Sequence, residues 1–269
     1  MKLNQKLTAA FLLILLVFMS ACSKDDDTNE PIAGTASDYY PGAIGSSFTY
    51  STDTINTSTG SAASIGSRVS TFDRNEAING IQYIIQKNTS TLGGLPFYSK
   101  VGFRRSDTEV SFAIDTSGIA SMIDSAITAT GYDLQLDIDS EILVIKYPLY
   151  SGLTWDAFKL SVGLGSLISI PVIRVTAEYM GQESVSSVPG GAATAEKIKY
   201  KATIQIPTSA DDILNPPTEV FEATGWFAKG VGLVKIEGSA IILSAISVGE
   251  IDIEDTRVVR ETLTQYTVK

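Results

Sequence analysis

A mainly β domain is the fold class this sequence predicts: an antiparallel curved sheet, as a half-barrel or sandwich, with one or two short helices. Three observations predict it. Runs rich in Thr, Ser, Val, Ile and Tyr recur along the chain. Turn signals built on Gly, Pro and Asn separate them. Helical periodicity is confined to short stretches. The chain has 269 residues, and a single all-β domain of roughly 200–250 residues is ordinary. At that size the core is large enough to hold without disulfides.

The elements follow in chain order. Ile81 to Gln86 reads as a strand after the turn-forming Asn79-Gly80, and Phe97 to Phe103 follows Gly93-Gly94. Glu141 to Tyr147 is a strongly apolar strand that ends at Pro148. Val172 to Tyr179 and Lys197 to Ile206 flank Val188-Pro189-Gly190-Gly191. Pro presets φ and Gly accepts φ > 0, the pairing for a type II turn, so these two runs form a long hairpin. Further strands are expected at Glu219–Ala228, Leu233–Glu237, Ala240–Val248 and Arg257–Val268. One helix interrupts: Ile119, Met122, Ile123, Ala126 and Ile127 share a helical face, with Ser117 as N-cap and Gly131 beyond the C-terminus. A second helical turn is expected at Ser209–Leu214, where Asp211 and Asp212 sit near the positive end of its dipole.

One pattern occurs twice. Tyr40-Pro41-x3-Gly45-x2-Phe48 matches Tyr147-Pro148-x3-Gly152-x2-Trp155. In each, Pro and Gly shape a turn and the aromatic begins a buried strand. Two copies are too few for a solenoid. The echo marks either two sheet halves built alike or a coincidence.

The N-terminus reports an address. Lys2 and Lys6 precede the apolar run Leu7 to Met19, and Ser20-Ala21-Cys22 follows. A basic start, a short apolar stretch and small residues at the cut describe a secretory signal. The run is too short to span a hydrocarbon core of roughly 30 Å. The small pair before the lone Cys resembles a lipobox, with Met19 where Leu is usual. That resemblance implies a diacylglycerol thioether on Cys22, cleavage before it and N-acylation. Ser23-Lys24-Asp25-Asp26-Asp27 resembles the export signal of Bacteroidetes-type surface lipoproteins, which implies the outer membrane and its outer face. A solvated acidic tether is the plain reading of the same residues. The expected organisation is a signal peptide over 1–21, the lipidated Cys and a disordered tether over 22–37, and one domain over 38–269. Cleavage takes Lys2 and Lys6 away, leaving 18 basic against 30 acidic side chains, a net −12. A domain so charged stands off anionic headgroups.

Four stretches extend the likeness into the domain. They are Tyr40-Pro41-x3-Gly45-x2-Phe48-x-Tyr50, Pro148-x3-Gly152-x2-Trp155, Val188-Pro189-Gly190-Gly191, and Trp226-Phe227-Ala228-Lys229-Gly230-Val231-Gly232-Leu233-Val234-Lys235. Together they resemble a broad set of mainly-β bacterial envelope lipoproteins. The set implies a curved antiparallel sheet and an envelope location, and no catalytic residue carries across from it. Phe48 stands where Trp is more usual, and Gly191 where Ala-Gly is more typical.

Composition removes whole classes of chemistry. With no His there is no imidazole base, no Ser-His-Asp triad and no His-ligated zinc; with one Cys there is no disulfide or thiolate cluster. A net charge of −10 argues against nucleic acid as a partner. Gly230-Val231-Gly232 and Gly163-Leu164-Gly165 do not continue as a dinucleotide fingerprint and read as hairpin turns. There is no G-x-S-x-G elbow and no Ser three residues before a Lys.

Carboxylates are the remaining acid-base resource. Asp137, Asp139 and Glu141 alternate, as do Glu250, Asp252 and Glu254, so each trio would share one strand face. A glycosidase pair or a weak calcium site would use them. The wet face of a half-buried strand is the plainer reading. The aromatics Tyr39, Tyr40, Tyr98, Tyr147, Tyr150, Tyr179, Trp155, Trp226 and Phe227 either stack on sugar or fill the core. Thr54 and Ser125 sit in Asp-Thr/Ser-apolar triplets that resemble O-glycosylation acceptors of Bacteroidetes-type envelopes.

The sequence therefore predicts a non-catalytic outer-membrane lipoprotein, without cofactor or metal, that binds or structures the envelope. Two alternatives are a carrier of an apolar ligand such as a lipid and a surface glycan-binding accessory; a protein ligand is a further candidate partner. The carrier requires a large apolar cavity. The glycan binder requires a flat exposed aromatic row.

Overall fold

The protein is described by a computed structural model that covers residues 31–117, 134–164, 168–186, 188–205, 216–249, 251, 253 and 255–269. The signal, Cys22 and Ser23 to Asp27, the helix expected over Ile119–Ile127, the turn at Ser209–Leu214, Ser125 and the trio Glu250, Asp252 and Glu254 lie outside these residues.

The described residues form thirteen strands in one antiparallel sheet. In chain order they are β1 Ser47–Ile55, β2 Ala62–Ile78, β3 Ile81–Leu92, β4 Leu95–Arg105, β5 Glu109–Ala113, β6 Leu134–Ile138, β7 Glu141–Lys146, β8 Thr154–Leu164, β9 Ile168–Val185, β10 Ala193–Ile204, β11 Glu219–Ala228, β12 Gly232–Ser239 and β13 Val258–Thr267. The order across the sheet is β6-β8-β9-β10-β11-β12-β13-β1-β2-β3-β4-β5-β7. Turn chemistry sets much of this. Ile78 pairs with Ile81 across Asn79-Gly80, both residues at positive φ, as a two-residue hairpin turn requires. Gly93 and Gly94 at positive φ close β3 onto β4, and Gly190 at φ +93 turns β9 back as β10.

The repeated Tyr-Pro motif opens the two meanders. Gly45 and Gly152 both take positive φ, and Phe48 and Trp155 sit at the starts of β1 and β8, both buried. From β1 the chain winds through β2, β3, β4 and β5; from β8 it winds through β9 to β13. The strand pair β13·β1 joins the two arms in the middle of the sheet, with Ser47 opposite Thr267.

Thirteen alternating strands make the first and last run in the same direction. The two edges, β6 and β7, are also consecutive in the chain, linked by Asp139 and Ser140. One bent segment thus pairs with β8 through its first part and with β5 through its second. The sheet rolls until these edges meet, although the ladder stays open. Trp155 Nε1 donates to the Leu143 carbonyl at 2.9 Å, and the Tyr200 hydroxyl to the Val144 carbonyl at 2.8 Å.

Ala240–Val248 is a helix, α1, and not the strand its Ile and Val content suggests. β-branched residues favour strands only weakly against tertiary context. Here the segment is buried almost all round, so no polar stripe betrays a helical period. Its boundary signals are Ser239 before it and Gly249 after it, at φ +75. A Cβ at Gly249 would come within 2.6 Å of Val101 Cγ2.

Packing begins ahead of Asp38. Within the stretch that composition assigns to the tether, Ile32 N donates to the Leu149 carbonyl at 2.9 Å and Ala36 N to the Asp107 carbonyl at 2.8 Å. Ala36 is fully buried. A short 3-10 turn, Ala36–Tyr39, then carries Tyr39 into the core.

Candidate functional site

The helix divides the inner face of the sheet. Ile241, Ile242 and Ala245 point to one side, where they meet Ile142, Ile173, Val175, Ala202 and Ile204 with only about 10 Å³ left unfilled. Leu243, Ser244, Ser247 and Val248 point to the other side, where a cleft of about 390 Å³ opens. Such a volume lies within the range of small-molecule pockets, roughly 300–1,000 Å³.

Alternation along the strands places the cleft's polar floor. On β2, Arg68, Ser70 and Phe72 face inward while Val69 is exposed, and on β3 Gln86 and Asn88 face inward. Glu261 faces inward from β13. Arg68 Nε donates to Glu261 Oε1 at 2.9 Å and Nη2 to Oε2 at 2.5 Å. Ser247 Oγ from α1 donates to Glu261 Oε2 at 3.2 Å. Arg68 Nη1 bonds Ser70 Oγ, which donates to Asn88 Oδ1 at 2.6 Å. Asn88 and Gln86 both donate to the Ser247 carbonyl, at 3.3 and 3.2 Å. The guanidinium also lies 4.4 Å from the Tyr50 ring centre. Two fully matched charges and their amide partners thus form one network at the foot of the cleft. A buried pair of this kind contributes little stability relative to apolar packing.

The walls and mouth are of another kind. Ile65, Leu92, Phe97 and Val259 are apolar, and Tyr98 stands beside Phe97. Leu95, Phe97 and Tyr98, at the tip of the β3–β4 hairpin, are 64%, 53% and 77% exposed. Across the cleft Arg257 pairs with Asp255 at 2.6 Å. That hydrogen-bonded pairing holds the Asp255 carboxyl below the usual range.

The cleft lies at the end of the sheet where β1 finishes and β13 begins. The chain joins the sheet at the opposite end, where Gly230 N donates to the Asp38 carbonyl at 2.8 Å. A nine-residue strand such as β1 separates the two ends by about 25 Å. At the lower end the Glu196 carboxylate is buried. It accepts from Tyr179 at 2.6 Å, from Gln182 at 2.9 Å and from Tyr39 at 3.2 Å. Burial, reinforced by this carboxylate, pushes both tyrosine hydroxyls far above their ordinary range. Glu196 therefore ties the start of the domain to β9 and β10.

The sequence-predicted acids do not converge. The strand breaks at Asp139, so Asp137 and Glu141 belong to opposite edges of the sheet rather than to one face. Asp139 Oδ2 accepts from Lys159 N at 2.7 Å. Glu141 pairs with Arg104 at 2.7 Å and accepts from Tyr83. Burial acts to raise the Glu141 carboxyl, but the Arg104 bonds outweigh it and hold it low. Among the described residues no group of three or more Asp, Glu or Cys is placed to hold a metal ion.

Gly230 and Gly232, at φ +75 and +103, make the β11–β12 turn, and Gly163 lies within β8. Thr54 lies in β1 with its hydroxyl 3.4 Å from the Ala63 carbonyl. Of the nine aromatics, Tyr39, Trp155, Tyr179, Trp226 and Phe227 are buried and Tyr40 and Tyr147 half-buried. Tyr98 and Tyr150 are exposed, on strand β4 and in the loop before β8. They form no row. Among the described residues no helix is long and apolar enough to cross a membrane.

No family model and no curated protein matches the chain. Three solved structures resemble it. A candidate lipoprotein from Parabacteroides distasonis ATCC 8503 is 13% identical, with 88% of this chain and 100% of that chain covered and a TM-score of 0.47. An exported protein with YmcC-like fold from Bacteroides fragilis NCTC 9343 is 16% identical, with 88% and 100% covered and a TM-score of 0.45. The hypothetical lipoprotein YmcC from Escherichia coli (K12) is 10% identical, with 86% and 89% covered and a TM-score of 0.33. Function has to be read from the site itself.

Proposed function

We propose that the chain is a non-catalytic, lipid-anchored binding module of the cell envelope. Cys22 holds it to the outer membrane, Ser23-Lys24-Asp25-Asp26-Asp27 directs it to the outer face, and the cleft between β4 and α1 takes its ligand. The observation that carries this reading is the state of the charged groups in the cleft. A carboxyl acid-base catalyst needs an oxygen free to reach a proton on the substrate. Glu261 instead commits both oxygens to Arg68 and Ser247. The site is built to hold a molecule rather than to transform one.

The test is labelled palmitate fed to cells making the wild-type chain and Cys22→Ala. Wild type should take up label, and the variant should remain an unlabelled full-length precursor. Label on the variant would refute the anchor. Protease added to intact cells should digest the domain, and Ala at Asp25, Asp26 and Asp27 should protect it. Equal digestion of both forms would refute the export signal.

A further inference from the structure

The cleft carries a buried charged pair in its floor. In a gap left by imperfect packing, apolar groups lie deep and polar ones face water. Here a charged pair lies as deep as the apolar lining beside it: Arg68 is 3% exposed and Glu261 7%, next to Leu243 at 4% and Val259 at 6%. One wall of the mouth is apolar and wet, with Phe97 53% exposed and Leu95 at 64% beside it on the hairpin, and the Arg257–Asp255 pair faces it across the cleft.

We propose that the cleft binds an uncharged, single-chain amphiphile, polar head inward against Arg68 and Glu261 and apolar chain outward along Leu92 and Phe97. This rests on the binding-module reading above and names its ligand class. Two observations select the head. The floor is electrically balanced, since one guanidinium faces one carboxylate, so an anionic head meets Glu261 and a cationic head meets Arg68 at equal disadvantage. The floor also retains hydrogen-bonding capacity of both signs. Of five guanidinium hydrogens, the pair's own bonds and those to Ser70 and Asn88 use four, and Glu261 Oε1 accepts from Arg68 Nε alone among the described residues. A hydroxyl or amide head can both donate and accept there. The chain is selected by the lip: Phe97 and Leu92 offer apolar surface continuous with the exposed tip at Leu95, which an extended chain covers and a compact sugar ring does not.

The experiment uses the chain from residue 22 onward with Cys22→Ala, so that neither lipid nor detergent is present. It is titrated calorimetrically, below micelle formation, with octyl glucoside, octanoate, octyltrimethylammonium and glucose. Octyl glucoside should bind with one-to-one stoichiometry, at least about tenfold tighter than either charged octyl compound, and glucose should show no saturable binding. Phe97→Ser, at an exposed position, should weaken octyl glucoside by roughly fivefold or more and leave the melting temperature unchanged. Leu243→Trp should fill the cleft and abolish binding.

Octanoate binding as tightly as octyl glucoside would overturn the neutral head. Glucose binding as tightly would make the site a saccharide site and overturn the chain. Binding indifferent to Phe97→Ser, or no saturable binding by any probe, would overturn the cleft itself. None of these results touches palmitate labelling at Cys22, which tests the anchor separately.

Discussion

On the inner face of the rolled sheet, β7–β12 bury Ile142, Val144, Ile173, Val175, Ile198 and Ile236, while β1–β3 and β13 bury Thr52, Arg68, Ser70, Gln86, Asn88 and Glu261. The same helix packs on both. Where it meets isoleucines about 10 Å³ is left, near the minimum a water needs; where it meets the polar network a cleft of about 390 Å³ remains. Apolar side chains interdigitate until the space is filled, because dispersion rewards each contact. Hydrogen-bonded groups are held by direction and distance, and their geometry stops collapse. The polar half thus keeps an opening that the apolar half would close.

The largest effect should come from breaking the pair on one side only. Arg68→Ala or Glu261→Ala strands a buried charge and should cost about 3–5 kcal/mol, read as a drop in the urea midpoint. A loss below about 1 kcal/mol would show that water reaches the floor freely. Replacing both, Arg68→Met with Glu261→Leu, should be neutral or stabilising by about 1–4 kcal/mol. The double variant should also lose the cleft: if collapse follows from removing directional bonds, octyl glucoside should no longer bind. Retained binding would separate the opening from the network.

The smallest effect is acid sensitivity, and it belongs to the outer face. Arg260 first, and Lys235, hold the Glu237 carboxyl below its ordinary 4.5. Arg104 does the same for Glu141 against the opposing effect of burial. Carboxyls depressed in the folded state add stability that is complete above the unfolded value and lost as pH falls through the folded one. The melting temperature should therefore stay level down to about pH 5 and decline below it. Arg260→Gln should flatten that decline, and an unchanged acid limb would remove the assignment.

The sequence marks the hairpins because their turns carry local chemistry. Asn79-Gly80, Gly93-Gly94 and Pro189-Gly190 each need a backbone that few other residues adopt, and each sits where a turn is found. The site was illegible for a physical reason. Arg68 and Glu261 are 193 residues apart, and nothing local to either announces the other. On β2 the usual rule even misleads, since Arg68 faces in and Val69 faces out. The alternating acids Asp137, Asp139 and Glu141 misled in the opposite sense. Alternation implies a shared face only within one strand, and the strand breaks at Asp139.

The position of β13 sets an order of events during folding. It is the last strand of the chain, yet it lies in the middle of the sheet, between β12 and β1. Ser51 and the Thr262 carbonyl it reaches are 211 residues apart. Each meander can form from neighbours in sequence, but β1 and β12 lack a ladder partner on their facing sides until the final strand arrives between them. Before then β1 and β12 present open edges, which are templates for pairing with other chains. Arg68 also waits for its only carboxylate partner among the described residues. Contacts this distant in sequence form late and slowly. A chain cut before Val258 would therefore carry two open strand edges in the middle of its sheet rather than being a slightly smaller domain.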